Sequence, residues 1–398
     1  KKAYKQDKGY GANKNTRGVL MSKNNIKDVY QFLNKYRYCI LSMLFVFFIF
    51  YSTFFGVYLI RWDSDFKYYL RQFISIAKTG KMLPHWLRQP DSDNPAFFYF
   101  WYLIARLVGD NLSNPIYSMK LVAFIIISLS FVGMNFLVTE ITRSKSLGLL
   151  SGILFMVNAF SVRTINSGGM KAIFASIFML FGITFLYKFL ENKNEDYFLA
   201  FLNLFVFSIL SHTLTTVIFI FISVPLVLYG FKKGVHTELT KILSIVFFII
   251  VLSLIIMSLY FRTYLSAFLF RYYKFELIFR LNKINIEEIQ RMFYDYITSI
   301  FIIFSATLAL FKDKLSGRKD VISLLFPLLG VVLFFLAIMI NDYTAGFRMR
   351  RALRYSVAIC VSIILNRKEY KHLWGVYWLC SFYILAQGLA IIYAPDSF

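Results

Sequence analysis

The sequence predicts an all-α, polytopic helical membrane protein with about eleven transmembrane helices. Of its 398 residues, 58% are hydrophobic and only 16% are charged. Soluble domains are about half apolar and about a quarter charged. Several apolar runs reach the roughly 20 residues that cross a bilayer. No polar stretch is long enough for a second domain, so we expect one transmembrane domain over residues 39–398.

The N-terminal segment, residues 1–38, is predicted to be a basic cytosolic arm. A natural start would fit at Met21, and in that case residues 1–20 are upstream or non-native. The first apolar run, 39–60, is too long for the core of a cleaved signal peptide. We expect it to remain as a membrane anchor.

Hydropathy defines the individual spans. The predicted spans are 39–60, 116–139, 146–162, 170–188, 197–211, 213–231, 241–261, 293–311, 320–341, 352–365 and 373–393. The split between Ser211 and Thr213 is the least marked of their boundaries.

The net charge of +23 orients the spans. With the N-terminus in the cytosol and the C-terminus outside, the short basic loops all lie in the cytosol. The chain is therefore expected in a prokaryotic cytoplasmic membrane. Its charges flank apolar spans instead of forming one stripe, which predicts contact with anionic lipids and not with nucleic acid.

The first outer loop, 61–115, carries two predicted interfacial helices. From Phe66 to Ala77, apolar residues recur at helical spacing, Gln72 falls on the opposite, polar face, and Gly80 follows. The apolar run 95–108 is too short to span a bilayer and is predicted to be interfacial or re-entrant.

Asp63 and Asp65 follow the first span directly. A carboxylate in a partly desolvated site can act as a general base or can bind a divalent cation such as Mg²⁺ or Mn²⁺. The alternative is a helix cap, in which Ser64 or Asp65 opens the amphipathic helix. Both roles can coexist, one aspartate for each. The later triplet Asp91-Ser92-Asp93 is expected to be a solvated turn.

An arginine cluster runs into the start of the tenth predicted span, at Arg348, Arg350, Arg351 and Arg354. Arginine binds phosphate bidentately, so a lipid phosphate is one predicted partner. Snorkelling to ordinary head groups is the alternative.

Two histidines are further candidates for substrate binding. His212 lies near an outer helix end, where an ionisable group is either functional or bonded to a neighbouring helix. His85 precedes Trp86, and this pair is predicted either to contact a sugar, with Trp86 as a stacking platform, or to belong to the loop structure.

The order of motifs over residues 40–165 resembles the GT-C superfamily of membrane glycosyltransferases. The motifs are Asp63-Ser64-Asp65, Gly80-x-x-Leu83-Pro84, Asn94-Pro95-Ala96-Phe97-Phe98-Tyr99 and then Gly109. The resemblance implies an inverting enzyme that transfers a sugar from a polyprenyl phosphate or diphosphate donor to a glycan, lipid or protein acceptor on the outer face. In such an enzyme, Asp63 or Asp65 would be the base or metal ligand, and basic outer residues would stabilise the phosphate leaving group.

Residues 160–222 are also similar to EpsG-like and Wzy-like polysaccharide polymerases of the cell envelope. These proteins often carry an arginine in a polar outer turn, for which Arg163 and Lys171 are the only candidates here, and a histidine near the outer end of a later span, here His212. A lipid-linked glycan transporter or flippase is a third possibility. Transporters favour broken helices and charges at mid-membrane, whereas the acidic residues here lie at span edges.

Overall fold

The structure, a computed structural model, describes residues 23–54, 64–80, 95–112, 115–166, 169–235, 237–261, 286–315, 321–339 and 343–393. Within these ranges the chain is helical and contains no strand. Six of the described helices are long and apolar enough to cross a membrane. The chain is therefore a multi-pass membrane protein, while the count of eleven spans stays a prediction.

Most helices follow the predicted segments, but the first begins at Lys23 instead of 39, within the predicted N-terminal arm, and another begins at Tyr343 instead of 352. They are α1 (Lys23–Phe54), α2 (Ser64–Thr79), α3 (Ala96–Leu107), α4 (Ile116–Thr142), α5 (Lys145–Val157), α6 (Ala159–Asn166), α7 (Met170–Asn192), α8 (Glu195–Ile209), α9 (Thr213–Lys232), α10 (Glu238–Phe261), α11 (Ile286–Leu315), α12 (Val321–Met339), α13 (Tyr343–Asn366) and α14 (Lys371–Tyr393), with a 3₁₀ turn at Lys368–Tyr370.

Two units emerge from the packing, residues 1–44 and residues 45–398. In the first, the described part is the beginning of α1, where Arg37 donates a hydrogen bond to Asn34. The remaining description concerns the second unit.

Two helical hairpins, α4–α5 and α7–α8, turn in the same way. In each, the residue after the first helix has left-handed backbone, Arg143 with φ 57° and Lys193 with φ 56°. The next residue caps the second helix, because the side chains of Ser144 and Asn194 accept backbone N–H bonds from Leu147 and Asp196. Polar residues at these positions are thus explained by local backbone needs.

Helices α4, α7 and α13 run parallel, and α5 is antiparallel to them. On α5, Gly152 lets Phe131 of α4 approach, since an added Cβ atom would lie 2.8 Å from its ring. On the other side, the Ser151 hydroxyl donates to the carbonyl of Ala358 at 2.8 Å. Its oxygen also lies 2.5 Å from the hydroxyl oxygen of Ser362. Small and hydroxylated residues of this kind let membrane helices pack closely. We call the end of the bundle where α4, α7 and α13 begin the site end.

An ionic cluster closes the opposite end of α4 and α7. Arg143 bonds to both Glu140 and Glu191, and Lys188 bonds to Glu140 at 2.9 Å. The hydrogen bond to Glu191 raises the pKa of the Arg143 guanidinium. The described basic residues at this end are therefore partly neutralised by carboxylates.

The predicted span 146–162 is not one helix. It breaks at Asn158, whose amide donates to the carbonyls of Leu154 and Phe155 at 2.8 and 3.2 Å. Its carbonyl oxygen accepts the N–H of Ser161 at 2.9 Å and starts α6. The prediction was wrong here because one buried asparagine satisfies both helix ends, and hydropathy does not register that exchange.

The break is packed against α14. A Cβ atom at Gly388 would lie 1.4 Å from the carbonyl oxygen of Val157. Only glycine permits this approach, so α14 reaches the backbone of α5 directly.

The two predicted short helices of the first loop are confirmed as α2 and α3, and α2 ends at Gly80, which has φ +70°. They pack through aromatic rings, with 4.4 Å between the ring centroids of Phe73 and Trp101. One assignment was wrong, because Gln72, predicted on the polar face, is buried. The buried face of α2 therefore includes Gln72 and Ile76 as well as Tyr69 and Phe73.

Candidate functional site

A buried guanidinium lies in the helix bundle. Arg354 begins the apolar part of α13, yet its side chain is only 2% exposed. An ionisable group buried within a membrane bundle is costly and is commonly functional. Of the four predicted arginines, this is the one whose side chain the structure describes.

The guanidinium is held from one side by two hydroxyl groups. Its Nη2 atom donates to the hydroxyl of Tyr355 at 3.0 Å and to that of Ser176 on α7 at 3.3 Å. The two hydroxyl oxygens lie 2.5 Å apart. Arg354 therefore links α13 to α7 through one of its three nitrogen atoms.

The other two nitrogen atoms are buried and have no partner among the described residues. In the part of the chain that the structure describes, Nε and Nη1 of Arg354 make no hydrogen bond. The Cζ atom lies 5.5 Å from the ring centroid of Phe155 and 4.9 Å from that of Tyr355. Aromatic faces offset part of the cost of burying the cation, but they do not satisfy its N–H groups. The site thus presents positive charge and free donors, which is what an anionic ligand requires.

A second buried cation, Lys171, lies in the first turn of α7. Its side chain is 3% exposed, and its Nζ atom lies 5.4 Å from the ring centroid of Tyr69 on α2 and 5.6 Å from that of Phe98 on α3. Phe97 and Phe100 of α3 also contact Phe174 on α7. The first-loop helices are thereby docked onto the site end of the bundle.

The start of α3 is fixed to the turn between α8 and α9. The N–H of Ala96 donates to the carbonyl of Leu210 at 3.2 Å. In the same turn His212 caps α9, because its Nδ1 accepts from the N–H of Thr215 at 3.3 Å. This separates α8 from α9 where the sequence placed their boundary. This cap uses Nδ1 of His212 within its own helix, while the predicted bond from His212 to a neighbouring helix and its role in substrate binding stay predictions.

Of the two first-loop aspartates, the structure describes only the backbone of Asp65. Asp63 lies outside the described residues. Helix α2 begins at Ser64, so Ser64 and Asp65 lie in its first turn and not before it. Asp65 precedes Tyr69 by four residues, which is about one helical turn on the same face. The side chain of Asp65 lies outside the described part.

Other predicted residues also fall partly or wholly outside it. Helix α13 includes Arg348, Arg350 and Arg351 and so begins before the predicted span 352–365, and Arg350 lies one turn before Arg354. The side chains of Arg348, Arg350 and Arg351 are outside the description, as are all of His85, Trp86 and the triplet Asp91-Ser92-Asp93.

Among the described side chains, no three His, Cys, Asp or Glu residues are grouped closely enough to hold a metal ion. The predicted ligands Asp63 and Asp65 are not among these side chains. The divalent cation therefore stays a prediction.

Sequence reasoning missed the hydroxyl partners of Arg354. Ser176 lies 178 positions away in the chain, and one serine in an apolar helix carries no signal of its own. Tyr355 is adjacent to Arg354, but a tyrosine near a helix start is also typical of membrane interfaces. Only the packing of α13 on α7 identifies both.

No protein-family model matches the chain, and comparison with curated proteins gives no significant match.

Proposed function

We propose that the protein is a membrane glycosyltransferase that uses a polyprenyl phosphate or diphosphate sugar as donor. The observation that carries the proposal is the buried guanidinium of Arg354, with two nitrogen atoms that have no partner among the described residues. A phosphate leaving group has the charge and the acceptor oxygens to match it.

The location of this charge also favours a lipid-linked ligand. Arg354 lies in a helix of a multi-pass membrane bundle, and Arg350 precedes it by one turn. A donor whose phosphate is attached to a polyprenyl chain can remain in the bilayer while its head group enters the bundle. A water-soluble nucleotide sugar would have to leave water to reach the same place.

The docked first loop supports the predicted reaction centre. Tyr69 of α2 contacts Lys171 at the start of α7, and Asp65 lies about one turn before Tyr69. Ser176, which holds Arg354, follows Lys171 by about 7.5 Å of helix rise. These contacts support the proposal that the acidic loop and the buried arginine act together at the site end.

The proposed step is a single displacement. The acceptor hydroxyl oxygen forms a bond to the anomeric carbon as the bond from that carbon to the phosphate oxygen breaks. The hydroxyl proton passes to the carboxylate of Asp63 or Asp65. The polyprenyl phosphate or diphosphate leaves with the bonding electrons, and Arg354 stabilises the charge that develops. The sugar is transferred with inversion.

The proposal includes the finer topology. Eleven spans with a cytosolic N-terminus would place the site end at the outer face of a prokaryotic cytoplasmic membrane. The acceptor would then be an envelope glycan, lipid or protein.

The test is a transfer assay in lipid with polyprenyl-linked sugars, with and without Mg²⁺ or Mn²⁺, and with products weighed by mass spectrometry. Wild type should add one sugar, and either Asp63→Asn or Asp65→Asn should be folded but inactive. Addition of a whole repeat unit would assign a polymerase instead. Donor that crosses the bilayer unchanged, with no product, would assign a flippase.

A further inference from the structure

We infer that Ser176 and Tyr355 are positioning residues that orient Arg354 toward a phosphate group. The inference rests on the proposed function for the source of that phosphate, but the geometry behind it does not. It concerns two hydroxyl groups that touch the guanidinium and need not touch the ligand.

The direction of each hydrogen bond follows from the number of protons. The Ser176 hydroxyl donates its single proton to the carbonyl of Ala172 at 2.7 Å. Its oxygen must therefore accept in the 2.5 Å contact with Tyr355, so the phenol is the donor there. Nη2 of Arg354 then donates to both oxygens. A directed chain results, which runs from guanidinium to phenol to serine to the backbone of α7.

This chain occupies one nitrogen atom and leaves two. Nε carries one N–H and Nη1 carries two, and neither atom has a partner among the described residues. The hydrogen-bonded chain ends on the backbone carbonyl of Ala172, which lies in the first turn of α7. The guanidinium is therefore held by the helix backbone and not only by other side chains. Its three remaining donors are held in one orientation before a ligand arrives.

Pre-orientation of Arg354 should increase its affinity for phosphate. Arginine has large rotamer entropy, so a free guanidinium must lose that freedom when it binds phosphate. Loss of one orienting hydrogen bond should weaken phosphate binding about tenfold. A residue with only a packing role would not change the affinity in this way.

A second tyrosine–serine pair in the protein provides a matched control. Tyr377 on α14 is also fully buried, and its hydroxyl lies 2.8 Å from that of Ser305 on α11 and donates to the carbonyl of Ile302 at 3.2 Å. Ser305 in turn donates to the carbonyl of Phe301 at 2.6 Å. This is the same tyrosine–serine pair between two helices, and the bonds described for it include no guanidinium.

The experiment measures binding of farnesyl phosphate by the full chain in lipid nanodiscs, by calorimetry and by the ligand-dependent rise in melting temperature. Farnesol and inorganic phosphate are tested separately, which distinguishes the contribution of the prenyl chain from that of the phosphate head group. The variants are Ser176→Ala and Tyr355→Phe, with Ser305→Ala and Tyr377→Phe as controls and Arg354→Gln as the reference for loss of the site.

We expect Ser176→Ala and Tyr355→Phe to raise the Kd for farnesyl phosphate about tenfold, while both controls keep the wild-type Kd. Ser176→Ala removes one atom from the side chain and provides the answer if Tyr355→Phe does not fold. A wild-type Kd in folded Ser176→Ala and Tyr355→Phe, together with loss of binding in Arg354→Gln, would overturn the inference.

The remaining outcomes separate this inference from the proposed function. If farnesyl phosphate binds as expected but no sugar is ever transferred, the positioning role stands and the glycosyltransferase proposal fails. If inorganic phosphate binds as tightly as farnesyl phosphate, the positioning role stands and the lipid-linked donor is wrong. If neither phosphate binds to wild type, the positioning role is wrong.

Discussion

The Cζ atom of Arg354 lies 5.5 Å from the ring centroid of Phe155, and the two side chains come from antiparallel helices. The contact covers a cation that lacks a carboxylate among its described hydrogen-bond partners. A structural arginine in a membrane bundle would be expected to have one. The pair therefore has the character of a binding site and not of a packing contact.

This predicts that Arg354→Met stabilises the protein, whereas most substitutions of buried residues destabilise it. Replacement of a buried charge by an apolar residue of similar length is often stabilising, so we expect the free energy of unfolding to rise by about 1–3 kcal/mol. Denaturant titration of the purified protein without ligand measures this. Arg143→Met is the control, because Arg143 is ion-paired and its loss should lower stability slightly. A large loss of stability in Arg354→Met would show that the arginine has a structural role.

Gly388→Ala should disrupt the packing of α14 on the helix break. The added Cβ atom would meet the carbonyl oxygen of Val157 at 1.4 Å, and a backbone atom cannot move aside cheaply. We expect a loss of about 3 kcal/mol or more in the free energy of unfolding. Gly375→Ala on the same helix has nothing within 4 Å of its Cβ position and should be neutral or stabilising by up to about 1 kcal/mol. Equal effects of the two substitutions would contradict the described approach.

Asn158→Ala should destabilise the junction of α5 and α6. It removes an amide that satisfies two carbonyls and one N–H. The expected loss is about 1–3 kcal/mol, because the groups are buried. Asn203 makes one amide bond to a carbonyl from an exposed position on α8, so Asn203→Ala should change stability by no more than about 0.5 kcal/mol. A continuous helix through position 158, with no loss of stability in Asn158→Ala, would refute the break.

Phe73→Ala should detach α2 from α3. Phe73 is fully buried and lies 4.4 Å, between ring centroids, from Trp101, and truncation of such a ring costs about 3–5 kcal/mol. Hydrogen exchange should rise in α2 and α3 and remain slow in the α4–α5 hairpin. Under the proposed mechanism sugar transfer should fall as well, because the proposed catalytic aspartates lie in the sequence at the start of α2. Faster exchange spread evenly over all helices would argue against a separate docked unit.

Periodicity and hydropathy predicted the helices well, because each long apolar run must bury its backbone hydrogen bonds in a helix. They also located the turn at His212 and the end of α2 at Gly80. They missed the break at Asn158, since its effect depends on side-chain bonds to specific carbonyls. They placed Gln72 on the wrong face, because helical spacing alone does not show which sides of a short helix are buried by the rest of the protein.

The candidate site was only partly predictable. The cluster of arginines drew attention to α13, but sequence spacing could not show that Arg354 lies buried against Phe155. Ser176 and Lys171 are brought to the site by helix packing over long sequence separations. The proposed function depends on these long-range contacts, which no local sequence pattern encodes.

The most direct test of the central claim compares sugar transfer by wild type and Arg354→Gln in lipid, with release of polyprenyl phosphate or diphosphate from a sugar-loaded donor as the readout. We predict a rate at least about 100-fold lower for Arg354→Gln, with a melting temperature no lower than that of wild type. Tyr377→Phe should keep the wild-type rate. A folded Arg354→Gln variant that releases polyprenyl phosphate as fast as wild type would contradict the account.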